Sequence, residues 1–131
     1  QTQQEPPLLA GSSKIHKINE TKFIRDIVNQ WLTAWIEKDM DGYTAFYADN
    51  FYSDRMNKSQ WIKRKTQIAD NNQSIEIAVS DFQIVQKGDT IKVSFFQDYK
   101  SYIYSSKGRK TLKLIKKGGL WKIYQESWKK K

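Results

Sequence analysis

The sequence contains no cysteine, one histidine and two prolines in 131 residues. Without thiols there can be no disulfide, no thiolate metal site and no cysteine nucleophile, although the compartment stays open. The lone histidine, His16, lies in a polar leader, and an unfixed group does not hold the geometry that a general base or a triad requires. No cluster of histidine and carboxylates stands at metal-ligand spacing, so neither metal nor cofactor is expected. Asp39 and Asp41 read instead as helix termination and capping. No run of about 18 apolar residues occurs, so no transmembrane segment is expected. The chain opens on Gln1 and not Met, as in a processed form or an excised domain.

What is plentiful is aromatic and basic. Aromatic residues make up 14% of the chain, with five Trp and seven Tyr, enough large side chains for one core without staples. The net charge is +9, and it is unevenly placed. Residues 107–131 carry ten basic side chains against Glu126 alone, while the remainder carries thirteen of each sign. Lys113, Lys116, Lys117, Lys129, Lys130 and Lys131 are therefore expected to form an exposed positive surface. Such a surface suits an anionic polymer or membrane; it equally suits a sheet edge kept soluble and unpaired by lysines.

Residues 1–18, with Pro6-Pro7 and Gly11-Ser12-Ser13, read as a flexible leader or linker, and 19–131 as the folded domain. Phe23, Ile24, Ile27, Val28, Trp31, Leu32, Trp35 and Ile36 recur at helical spacing behind a cap at Asn19 or Thr21. Asp41 is expected to cap a short second helix with Tyr43, Phe46 and Tyr47, and a loop follows through Phe51 and Tyr52. Ser59 is expected to cap a third helix bearing Trp61, Ile62, Lys65 and Ile68. Beyond Asn72 the period falls to two. Strands are expected over Ile75–Val85 with a bulge before Phe82, over Thr90–Tyr104, over Arg109–Lys116 and over Leu120–Trp128. Turns at Lys87-Gly88-Asp89, Ser105–Gly108 and Gly118-Gly119 make an antiparallel meander. Helices first and strands afterwards define an α+β class.

The Trp-rich first helix, Asp41-Gly42-Tyr43-x-x-Phe46-Tyr47, Phe51 and a helix with Trp61 and Lys65 resemble the nuclear transport factor 2-like superfamily. Phe95-x-Gln97-x-Tyr99-x-Ser101 and Gly119-Leu120-Trp121-Lys122-Ile123-x-x-Glu126-x-Trp128 narrow the resemblance. They are similar to the accessory domain C-terminal to bacterial cell-wall L,D-transpeptidase or L,D-carboxypeptidase domains. The resemblance covers roughly residues 20–129. It implies helices packed on a curved four-stranded antiparallel sheet that forms a cone with a ligand pocket at its open end. It also implies a bacterial periplasmic or envelope location, an upstream catalytic domain as partner, and a homodimer through the sheet. Fold alone does not choose between the superfamily's enzymes and its binding domains.

Strand alternation puts Phe95, Gln97, Tyr99 and Ser101 on one face and Asp98 on the other, so the isomerase-type carboxylate is missing from the pocket. No catalytic residue is assigned. The expected pocket is lined by Tyr47, Trp61, Phe95, Gln97, Tyr99, Ser101, Lys110, Glu126 and Trp128, with a Lys110–Glu126 pair at its mouth and a bulge near Tyr124-Gln125. Neutral polar groups among aromatics suit a small peptide-like or cell-wall-derived ligand; the same groups could serve only to satisfy the core. The functional expectation is a non-catalytic ligand-binding or targeting domain of the cell envelope. The alternatives are a small isomerase or dehydratase of the same fold and a binder of anionic polymers. Nucleic acid is disfavoured, because the aromatics sit in helices and not between exposed lysines on a sheet.

Overall fold

The computed structural model describes the backbone of residues 9–71 and 74–131 and the side chains of 21–71 and 74–131. The leader residues 1–8, the His16 side chain and Asn72 lie outside that description. Helix α1 (Leu9–Ile36) begins well before the cap expected at Asn19 or Thr21. The chain divides into two units, residues 1–30 and residues 31–131. In the first, Ile24 and Val28 are buried, whereas Phe23 is 55% exposed and does not join the expected apolar stripe.

The second unit carries the rest of α1, then α2 (Met40–Thr44), β1 (Tyr52–Ser53), β2 (Met56–Asn57), α3 (Lys58–Asn71) and four long strands, β3 (Ile75–Lys87), β4 (Thr90–Ser101), β5 (Ser105–Lys117) and β6 (Leu120–Lys130). Asp39, and not Asp41, caps α2: its carboxylate accepts from the Gly42 N–H at 3.0 Å. Asn57, and not Ser59, caps α3. Its Oδ1 accepts from the Gln60 N–H and the Gln60 Oε1 accepts from the Asn57 N–H, both at 2.9 Å, so two orphan donors are satisfied reciprocally. The expected loop before α3 holds a two-stranded hairpin. Asp54 and Arg55 at its tip both have positive φ, the requirement of a type I′ turn.

The four long strands form an antiparallel sheet in the order β3-β4-β5-β6. Gly118 and Gly119, both at positive φ, make the β5–β6 turn without steric cost. The register shifts between Ser80 and Gln83, where the bulge was expected, and again between Lys113 and Leu114 opposite Tyr124. Ser105–Gly108 is not the β4–β5 turn. Strand β5 already starts at Ser105, and the chain reverses at Tyr102–Tyr104, closed by the Ser101 N–H donating to the Tyr104 carbonyl at 2.7 Å. Gly108 is needed inside the strand, because a Cβ there would meet the Lys129 carbonyl and fall 2.8 Å from the Trp128 ring. The outer edge of β6 is covered at Ile123, whose N–H and C=O pair with Phe46 and Ala48.

Aromatic rings join the layers of this unit. Trp31 and Trp35 near the end of α1 meet Tyr43 of α2. Tyr43 meets Tyr47, Tyr47 meets Phe51, and Phe51 meets Trp61 of α3, with centroids 5.0–6.3 Å apart. Trp31 also packs edge-on to Phe95 of β4 at 6.4 Å. All these rings are buried, and for Trp31 and Trp35 the helical spacing predicts it.

Candidate functional site

Between α3 and the inner face of β4 and β5 lies a cavity of about 510 Å³. Alternation along β4 turns Phe95, Gln97 and Tyr99 inward. Asp98 faces the opposite side with Lys100 and Lys107, around a separate depression of about 380 Å³. Of the residues expected in the pocket, Trp61, Gln97, Tyr99, Ser101, Lys110 and Trp128 line the cavity. Phe95 and Tyr47 do not; they are fully buried behind its wall. Glu126 reaches only a smaller inner cavity of about 60 Å³, shared with Gln97, Tyr99 and Lys110.

The Lys110–Glu126 pair does not sit at the mouth. Glu126 is 4% exposed and Lys110 9%, and the Lys110 ammonium donates to Glu126 Oε2 at 2.6 Å. The register makes this a diagonal contact, because Lys110 lies opposite Trp128 and Glu126 opposite Leu112. The other carboxylate oxygen, Oε1, accepts from the Tyr47 hydroxyl at 2.7 Å. A phenol has one proton. With that proton on Glu126, the Tyr47 oxygen accepts from the Tyr43 hydroxyl at 2.7 Å and from the Trp31 indole N–H at 3.0 Å. The Glu126 N–H donates to Ser53 Oγ at 2.7 Å. Burial alone would raise the Glu126 pKa, but Lys110, Lys65 and the hydrogen bonds outweigh it and hold the carboxyl below its ordinary range. Burial, then the Glu126 charge, pushes both phenols well above theirs.

Sequence reasoning placed Lys65 on α3 but not in the site. It is a wall of the cavity, and its ammonium lies 5.2 Å from the Trp35 ring centroid and 5.1 Å from that of Trp61. The signal was present, since Lys65 follows Trp61 by four residues and so shares its helix face. Burial, then the Lys110 charge, lowers its pKa from 10.5 to about 8. Further polar groups line the cavity beside it. The Ser106 hydroxyl has no partner. The Trp61 indole N–H lies near the Tyr43 hydroxyl without reaching hydrogen-bond geometry. The Gln97 side chain is only 7% exposed and lines both cavities. At the rim, Ile103 and Tyr104 of the β4–β5 turn are exposed and apolar. Among the described residues no group of three or more His, Asp or Glu could hold a metal ion.

The fold is similar to that of several solved structures. Bd1075 of Bdellovibrio bacteriovorus matches with a TM-score of 0.80 and 28% identity over 84% of this chain. The helical cell-shape-determining protein Pgp2 of Campylobacter jejuni matches with a TM-score of 0.69 and 26% identity over 76% of it. The chain spans only 40% and 37% of the length of these two proteins. A candidate dehydratase of the NTF2-like family from Streptomyces avermitilis shares the fold at 10% identity, with a TM-score of 0.75 over 86% of this chain and 97% of that one. The fold thus occurs among proteins named as enzymes and among others. A search of curated proteins finds no match. The family model of the Cds6 C-terminal NTF2-like domain matches residues 23–127, and the chain belongs to that family of NTF2-like domains.

Proposed function

We propose that residues 31–131 form a non-catalytic recognition domain of the bacterial cell envelope. Its ligand is a peptide-like fragment of the cell wall, and it serves as accessory to a peptidoglycan-modifying enzyme of the L,D-transpeptidase or L,D-carboxypeptidase kind. The observation that carries the reading is the convergence of polar side chains on one largely apolar cavity. The buried Ser106 hydroxyl has no protein partner there, which is rare for a buried polar group, and Gln97, 7% exposed, lines the same space. The cavity volume of about 510 Å³ is in the range of small-ligand sites. The likeness to a cell-shape-determining protein supports the envelope setting, and the fraction of that protein covered supports an accessory role.

Catalysis is disfavoured by what the pocket's carboxylate is already doing. A general base must be free to take a proton and have a pKa near the working pH. Glu126 has one oxygen on Lys110 and the other on Tyr47, and its pKa is held low. Asp98 faces away, and Asp54, which lines the cavity, is exposed at the tip of the β1–β2 hairpin.

The test is calorimetric titration of the protein with soluble disaccharide-tripeptides released from peptidoglycan. The parent should bind. Gln97→Ala should weaken binding by about 0.5–1.5 kcal/mol, roughly two- to tenfold, with its melting temperature little changed. A folded parent that ignores these fragments, or a variant that loses stability yet binds as the parent does, overturns the reading.

A further inference from the structure

Lys65 is a buried-site cation without a direct ion pair. Among the described residues it makes no hydrogen bond and no ion pair; its only close partners are the faces of Trp35 and Trp61. The nearby carboxylate, Glu126, acts on Lys65 through space but makes its direct contacts with Lys110 and Tyr47. The charges around the two cavities comprise three cations, Arg64, Lys65 and Lys110, against two carboxylates, Asp54 and Glu126. Other cavity-lining groups can donate as well: the unpaired Ser106 hydroxyl and the Gln97 amide. Such a wall is complementary to an acceptor-rich, singly negative group, and charge-assisted hydrogen bonds to it are the strong kind.

We propose that Lys65 reads a free carboxylate of the ligand, which enters this pocket acid first, with its apolar part against Trp61 and Trp128. The proposal rests on the reading that this cavity is the ligand site, and it narrows the ligand to carboxylic acids, such as the free C-terminus of a short peptide. Lys110 acts differently, since its charge is already spent on Glu126. The exposed Ile103 and Tyr104 lie where the far end of such a ligand leaves the pocket.

Two probe pairs test it in the full chain. The first is a cell-wall tripeptide as free acid and as C-terminal amide. The second is hexanoate and hexanamide, followed by NMR at the Lys65 ε-methylene. Each acid should bind about tenfold more tightly than its amide, the worth of one charge-assisted contact. Lys65→Met should bring each pair to within about twofold, with its unfolding midpoint measured alongside to establish that the variant is folded. The preference for acid should also fade as pH rises through about 8, where the ammonium is lost, while amide binding stays level. Lys110, Glu126 and Arg64 are the charged groups that act on Lys65 across that range. Equal binding of tripeptide acid and amide overturns this proposal and leaves the pocket reading intact. A tripeptide that fails in both forms, with hexanoate still shifting Lys65, overturns the cell-wall ligand and keeps the carboxylate site. Hexanoate that leaves Lys65 unmoved, or inorganic phosphate that binds as tightly as hexanoate, overturns the carboxylate site itself.

Discussion

At the residue scale, the central fact is an ion pair that is almost fully removed from water. Desolvating Lys110 and Glu126 costs several kcal/mol per ion, and only close geometry with further hydrogen bonds offsets it. Both conditions are met, by the 2.6 Å contact and by Tyr47. Removing one partner is accordingly worse than removing both. Lys110→Met should destabilise the protein by about 3–5 kcal/mol in urea unfolding, and the double variant with Glu126→Met should recover part of that loss. The Glu126 carboxyl is held below its unfolded value, so its contribution is present above about pH 4.5 and is lost as pH falls through the lower folded pKa. That acid limb should be absent in Lys110→Met. Single variants that cost less than about 1 kcal/mol would mean the pair is hydrated in solution. The pair and its bulge were foreseeable from strand parity. Its depth was not, because parity gives the face of a sheet and not the distance to water.

At the scale of elements, the long strands and their hairpins were legible because alternation and turn glycines are local properties. Errors fell at element ends. Ser59 and Asp41 looked like caps, yet Asn57 and Asp39 make the bonds. All four residues have cap-forming side chains, and a shift of two residues is decided by how the preceding chain arrives. Asn57 is also held as the last residue of β2, paired with Tyr52, which fixes where α3 can begin. Asn57→Ala should cost about 1 kcal/mol in unfolding free energy and Ser59→Ala less than about 0.5. The reverse order would return the cap to Ser59. The β4–β5 turn was misplaced for a similar reason. Gly108 looks like turn punctuation, but its missing side chain serves the close approach of β6.

At the scale of the whole molecule, the charge excess of residues 107–131 is borne mainly at the surface. Lys116, Lys117, Lys129, Lys130 and Lys131 are exposed, and Lys113 is half-buried. Lys130 and Lys131 border the depression that also holds Lys100 and Lys107. If this surface recruits an anionic wall polymer, binding to a polyanion column should fall steeply between about 50 and 200 mM salt. Replacing Lys129, Lys130 and Lys131 by Gln should flatten that dependence without touching acid binding in the cavity. Salt-independent retention, or none, leaves these lysines the task of keeping the sheet soluble.

The amino-acid sequence by itself determined the α+β class, the order of helices before strands, the aromatic core and the inward face of β4. Each follows from periodicity or composition over a few neighbouring residues. Only the tertiary structure decided which charges are buried and which are left without partners. Tyr47 and Glu126 stand 79 residues apart, and Lys110 and Glu126 stand 16 apart on separate strands. Lys65 becomes a pocket residue only when α3 is laid against β4 and β5. Desolvation depends on everything packed around a group, so no local pattern carries it. A carboxylate bonded directly to one lysine while a second ammonium nearby has no direct ion pair is a property of the assembled pocket.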